Sequence, residues 1–212
     1  EKAMGDKFDK MVVKRETYET SDPTVDSQIV SLANSGADVF VNISIPKFAA
    51  QAIKKMAAIG WKPLHLLNDV SAAIAATYVP AGVENSKGII SVDFYKDPND
   101  PEWANDSDTL EWKKFMADFY PDGDIANKFN AYGWAVCHTM IAVLKQAGDD
   151  LSRENIMKQA ASLHEVPIPM LLPGMSADTS PTDFYPLEQM QMTKFDGTQS
   201  VRFGPLISAE TE

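Results

Sequence analysis

The sequence predicts an α/β fold built on a parallel sheet, and three observations carry that prediction. Residues 22–69 read as a complete helix, strand, helix, strand run. Strands and helices alternate early in the chain, whereas the later part holds helices and then a hairpin. With 212 residues, 44% of them apolar, the chain has enough material for a substantial core. A helix crossing between two short apolar strands implies a parallel sheet covered on both faces, with ligands bound beyond the strand carboxyl ends. Those ends are Asn42 to Ile45 and Asn68 to Ser71.

The opening Glu1-Lys2-Ala3-Met4-Gly5 resembles the last turn of a helix feeding a strand from Met11 to Tyr18, whose mixed charged and apolar residues suit a sheet edge. Asp22 is a candidate N-cap with Pro23 at the first helical position. Ile29, Leu32 and Ala33 then share one face, and Gly36 ends the helix. Val39-Phe40-Val41 supplies a strand. Pro46 opens a second helix in which Ala50, Ile53, Met56 and Ala57 recur at helical spacing until Gly60. His65-Leu66-Leu67 is the next strand. Ala72 to Tyr78 follows as a short Ala-rich helix broken by Pro80-Ala81-Gly82, and Gly88 to Tyr95 reads as a fourth strand.

Composition then shifts. Asp97 to Asp108 contains two prolines, four aspartates and two asparagines, a pattern for a solvated surface loop or a crossing between lobes. Apolar residues return at helical spacing from Thr109 to Tyr120 and from Ala131 to Ala147, where Gly148 supplies the stop. Ser152 caps a third helix running to about Ser162. Leu187 to Phe195 and Thr198 to Phe203, joined by Asp196-Gly197, form a hairpin. No run between Pro98 and Val166 reads as a strand, so the helical block lacks a sheet to cover, and self-association is expected.

A net charge of -11 and a pI near 4.7 exclude nucleic acid and anionic membrane as main partners. Cys137 is the single cysteine, so no intramolecular disulfide forms. No apolar run approaches the ~18 residues of a membrane span. Neither a phosphate-binding glycine loop nor a nucleophile elbow is present, so no catalytic constellation, cofactor or metal is assigned. Neighbouring Cys137 and His138 point about 100° apart on a helix and do not converge. The aspartates of 97–108 lack the alternation and the glycine of a calcium loop.

The order of elements, with Asp22-Pro23-Thr24-Val25-Asp26, Gly36-Ala37-Asp38-Val39, Ala131-Tyr132-Gly133-Trp134 and Leu172-Pro173-Gly174 leading to Phe195-Asp196-Gly197, resembles the periplasmic substrate-binding proteins of branched-chain amino-acid-type ABC transporters. The resemblance implies a type I periplasmic-binding fold, with one doubly wound parallel-sheet lobe plus an incomplete second lobe. In its terms residues 1–95 are most of the second lobe, 96–178 the helical remainder of the first, and 179–212 a crossing segment and returning hairpin. The first lobe's opening strands are missing, so an N-terminally truncated chain is expected.

The resemblance further implies a non-enzymatic, periplasmic receptor that traps a small solute between two lobes and delivers it to an ABC transporter permease. The contacts it implies are Ser44 and Ile45 after one strand, Asn68 and Asp69 after the next, and Phe129 and Tyr132 from the other lobe. Asp69 stands where an acidic residue pairs with a ligand amino group. An aromatic residue is often found where this chain has Ser44 and Ile45, which moves the expected ligand away from aliphatic branched-chain amino acids. Each residue also has a structural reading. Asp69 serves equally as an N-cap, Ser44 as a partner for helix-start backbone groups, and Phe129 and Tyr132 as members of an apolar core stripe. The rival function is a cytoplasmic small-molecule sensor of the same fold.

Overall fold

The computed structural model describes residues 4–208, which divide into two compact units: residues 4–91 with 194–197, and residues 92–193 with 198–208. Among the described residues no helix is long and apolar enough to cross a membrane.

The first unit is organised by β1 (Val39–Asn42) and β2 (Leu64–Leu67), paired in parallel from Val39↔Leu64 to Asn42↔Leu67. β3 (Ile90–Asp93) joins β2 in parallel at Leu66↔Ile90. The helix Pro46–Ile59 crosses between β1 and β2 as the spacing predicts, with Pro46 in its first turn. Its C-cap Gly60 has φ 71°, a left-handed conformation that glycine adopts without steric cost. Phe48, Ala52 and Met56 of this helix pack with Phe40, Val25 and Ile29, while Ala49, Ala50 and Ile53 pack with Leu67, Tyr78, Ile89 and Phe195.

All of that packing is on one face of the sheet. Alternation places Phe40, Asn42, His65 and Leu67 on the buried side and Val39, Val41, Leu64, Leu66 and Ile90 on the other. None of the latter five is buried, and Val41 is 61% exposed. Among the described residues of this unit, the helices pack on the first of these two faces.

Other boundaries differ as well. No strand forms over Met11 to Tyr18; Phe8–Met11 is a single helical turn, and the chain beyond it is tied down by side chains. Gln28 Nε2 donates to the Thr17 carbonyl, and Tyr18 packs on Phe48. Residues 4–95 thus carry three strands rather than four. Of the opening five residues, Glu1 to Ala3 lie outside the described residues. The first long helix runs Asp26–Ala33, not from Asp22, whose carboxylate instead accepts from Glu19 N. Thr24 Oγ1, accepting from Asp26 N, takes the position near the helix start. Within the short helix predicted over 72–78, Ile74–Tyr78 is helical, and short turns flank it. Pro80 sits inside Val79–Ala81, and Gly82, at φ 93°, makes the break.

The second unit contains the helices Ser107–Phe119, Lys128–Ala147 and Arg153–Ala160, near their predicted places. Asp106, Asn127 and Ser152 cap them through side-chain oxygens. No strand lies between Pro98 and Val166, as expected, yet the helices do not lack a core. Ala135 and Val143 pack with Tyr95, Trp103, Leu163, Ile168, Leu171 and Met175. Trp112, Met116 and Ala131 enclose Met170. The acidic stretch 97–108 is not a solvated loop, since Pro98, Asp100 and Trp103 are buried. The hairpin is present as β4 (Gln189–Phe195) and β5 (Ser200–Ser208).

Candidate functional site

The parallel register brings the segments after β1 and β2 side by side. Asn68 N donates to the Asn42 carbonyl at 3.0 Å, extending the ladder one residue past β2. The Asn68 amide, with its nitrogen turned inward, donates to the carbonyls of Ser44 at 3.1 Å and Asn42 at 3.3 Å. Ser71 Oγ also donates to the Ser44 carbonyl. Four of the six expected residues, Ser44, Ile45, Asn68 and Asp69, therefore belong to one constellation on the first unit.

Beneath it runs a buried polar relay that the sequence reading missed. Ser44 Oγ donates to Asn42 Oδ1 at 2.7 Å, and Asn42 Nδ2 lies 3.2 Å from His65 Nε2. An amide nitrogen only donates, so Nε2 accepts and the ring proton sits on Nδ1. Burial pushes the His65 pKa down to about 4, which keeps the ring neutral near pH 7. The signal was in the sequence: Asn42 closes Val-Phe-Val-Asn, and His65 interrupts Leu-His-Leu-Leu, each a polar residue on the buried alternation of an apolar strand.

Ser44 does not serve the helix start, because its hydroxyl goes to Asn42. Ile45 is the residue before Pro46, with its N–H donated to Tyr18 Oη at 3.0 Å and its side chain exposed. Asn68 occupies the cap position of the turn Asp69–Ser71 without a side-chain cap bond, and Asp69, half-buried, opens the turn. A cavity of about 80 Å³ beside this constellation is lined by Tyr18, Gln28, Phe40, Asn42, Ser44 and Phe48 among others. Enclosed sites for organic ligands start near ~300 Å³. The cavity beside the constellation is well below that size.

Phe129 and Tyr132 stand in the second unit, on the first two turns of Lys128–Ala147. They are 38% and 41% exposed, so neither is the core residue that the apolar stripe suggested. The Tyr132 ring lies 5.6 Å from Tyr95 and meets Phe94 edge-on at 6.2 Å. Lys128, almost fully buried, holds its ammonium 4.8 Å from the Tyr95 ring and 4.0 Å from an Asp93 oxygen. The second unit also has an open cavity of about 350 Å³, lined by His164, Asp178, Thr179, Asp183, Tyr185 and Glu188 among others and by none of the six expected residues.

Residues 2–199 match the family model of the periplasmic binding proteins. The chain belongs to that family. Its members are substrate-binding receptors, not enzymes. Solved structures similar to this periplasmic binding protein include a branched-chain amino-acid ABC transporter protein of Thermus thermophilus with bound valine, at 11% identity and TM-score 0.76, covering 92% of this chain and 52% of that one. A leucine-binding protein of Thermotoga maritima is 13% identical with TM-score 0.69, and covers 92% and 52%. A substrate-binding periplasmic protein of Ralstonia solanacearum is 14% identical with TM-score 0.73, and covers 88% and 51%. At such identities the likeness is one of fold. This chain spans about half the length of these structures. A search of curated proteins finds no match.

Proposed function

We propose that this chain is part of a periplasmic solute receptor that delivers an amino acid, or a related small carboxylate, amide or aromatic acid, to an ABC transporter permease. The observation that carries this reading is the convergence of Ser44, Ile45, Asn68 and Asp69 at the carboxyl ends of two neighbouring parallel strands, where sheets of this kind bind ligands. The buried Asn42–His65 relay fixes Ser44, so that one wall of the site is set before ligand arrives. Asp69 supplies the charge for a ligand ammonium, and Phe129 and Tyr132 are the aromatic contacts assigned to the second unit. Trapping between two lobes is the mode this reading adopts, and the names of the solved neighbours support the ligand class.

A thermal-shift screen of amino acids, aromatic acids and amides tests it, because a ligand at 100 times its dissociation constant adds about 2.7 kcal/mol of stability. With an amino-acid ligand, Asp69→Asn should weaken binding about ten- to a hundredfold, the worth of a charge-assisted hydrogen bond, while a neutral-headed aromatic acid is affected far less. Equal affinity of wild type and variant for every ligand found would make Asp69 structural. Ser44 and Ile45 favour a ligand outside the aliphatic branched-chain set. Tight leucine, isoleucine or valine binding with no better aromatic or amide ligand would reverse that preference.

A further inference from the structure

The hydrogens of the wall built by Ser44, Asn68, Asp69 and Ser71 have a direction, and the contacts within the first unit fix it. Ser44 Oγ gives its one hydrogen to Asn42 Oδ1 at 2.7 Å. The Asn68 amide nitrogen gives its two to the carbonyls of Ser44 and Asn42, and Ser71 Oγ gives its own to the Ser44 carbonyl. Ile45 N–H goes to Tyr18 Oη, and Pro46 has no N–H to offer. Each of these side-chain donors is thus turned toward the protein. What Ser44 Oγ and Asn68 Oδ1 keep for a ligand is lone pairs, and the neighbouring Asp69 brings a carboxylate, an acceptor in its ionised form.

A serine hydroxyl is not an acceptor by nature; it rotates to suit its partner. At Ser44 the choice is made one amide away, at His65. The ring is neutral near pH 7 because burial penalises its charged form. Asn42 Nδ2 stands 3.2 Å from His65 Nε2, so a ring with its proton on Nδ1 holds the amide nitrogen on its own side and the amide oxygen on the Ser44 side. All three residues are buried, where an unmade hydrogen bond is costly. With the proton on Nε2 instead, the amide would turn over, Asn42 Nδ2 would give to Ser44 Oγ, and the serine hydrogen would be released to the site. We propose that His65 and Asn42 set the polarity of this wall: they hold Ser44 Oγ as an acceptor toward the ligand, so the ligand end that lies here carries N–H donors, as an ammonium or a primary amide does, and is not a carboxylate. This rests on the receptor reading above and narrows it, since acids that lack a nitrogen donor find no partner at Ser44. His65 and Asn42 are positioning residues, acting on the ligand through Ser44.

The ring itself gives the first test. In nitrogen NMR spectra of the 212-residue chain near pH 7, His65 should show its proton on Nδ1 and a bare Nε2. A ring proton on Nε2 would overturn the proposal while leaving the receptor reading in place. The second test uses two neutral probes of similar shape: benzamide, which has N–H donors, and methyl benzoate, which has none. Neither is charged, so the net charge of -11 does not bias the comparison. Titrations followed through the backbone amide signals of Ser44, Asn68 and Asp69 should show benzamide binding about fivefold or more tighter, the worth of one hydrogen bond. Asn42→Leu, which removes the inward acceptor, should bring that ratio close to one. Asn42→Asp still accepts from Ser44, so it should keep the ratio while moving the His65 proton to Nε2, a change in the ring spectrum that a merely structural Asn42 does not predict. Equal affinity of the wild type for both probes, or a ratio that survives Asn42→Leu in a folded variant, would overturn the proposal. If neither probe moves these signals, the receptor reading falls and the ligand preference with it.

Discussion

His65 shows how one ring records its surroundings. Its ordinary pKa of 6.5 falls to about 4 because the charged form would be buried beside Phe40 with an amide as partner. Below pH 6.5 the unfolded chain binds a proton that the folded chain refuses, so stability falls from about pH 6.5 toward pH 4 and is indifferent to this ring below that. The full loss is on the order of 3 kcal/mol. Denaturant melts of wild type and His65→Gln between pH 7 and pH 4 should differ in slope, the variant being flatter; parallel curves would show the ring is solvated. Of the six residues expected at the site, the four that end parallel strands were legible because alternation and strand polarity fix where such residues go. What sequence could not supply was the partner of each group. Nothing in the spacing of Asn42, Ser44 and His65 says that one amide bridges the other two.

At the scale of elements, caps and crossings are decided by more than local preference. Asp106 accepts from Thr109 N, as an N-cap should, and also receives Lys96 Nζ at 2.8 Å, with Asp108 holding the same ammonium at 2.8 Å. Burial pulls the Lys96 pKa down, but the hydrogen bonds and charges of these two aspartates outweigh it, and the net shift is upward. Asp106→Ala removes a cap and half of the ammonium's partners, and should cost about 2 kcal/mol; Asp106→Asn, which can still cap, should cost about half of that. Equal losses in thermal or chemical unfolding would show that the contact with Lys96 alone matters. This ion cluster is why residues 97–108 looked like a solvated loop: a run of aspartates reads as surface until the lysine that neutralises it is seen. The long helices were legible because a 3.6-residue period survives any packing. The start at Asp26 was not, because Asp22 and Thr24 are both good capping residues and only tertiary contacts choose between them.

At the scale of the molecule, the fold was read correctly from the alternation of elements, yet what covers each apolar face lay beyond a reading of local pattern. The clearest instance is Phe195. It stacks on Tyr78 at 4.3 Å, is 2% exposed, and exchanges backbone hydrogen bonds with Gly88 and Ile89. Phe195→Ala should destabilise by about 3–5 kcal/mol, read by chemical denaturation, with the signal of the first unit lost first. A loss below about 1 kcal/mol would mean that Tyr78 is covered some other way.

The same residue sets a timetable for synthesis. Ser91 ends the first long segment of its unit, but Phe195 is made about a hundred residues later, and at ~5–20 residues per second the wait is on the order of 5–20 s. Throughout that interval the Tyr78 ring and the Gly88–Ile89 backbone of the nascent chain stand open to water and to any passing strand. A nascent chain halted before Phe195 is added therefore displays an adhesive intermediate.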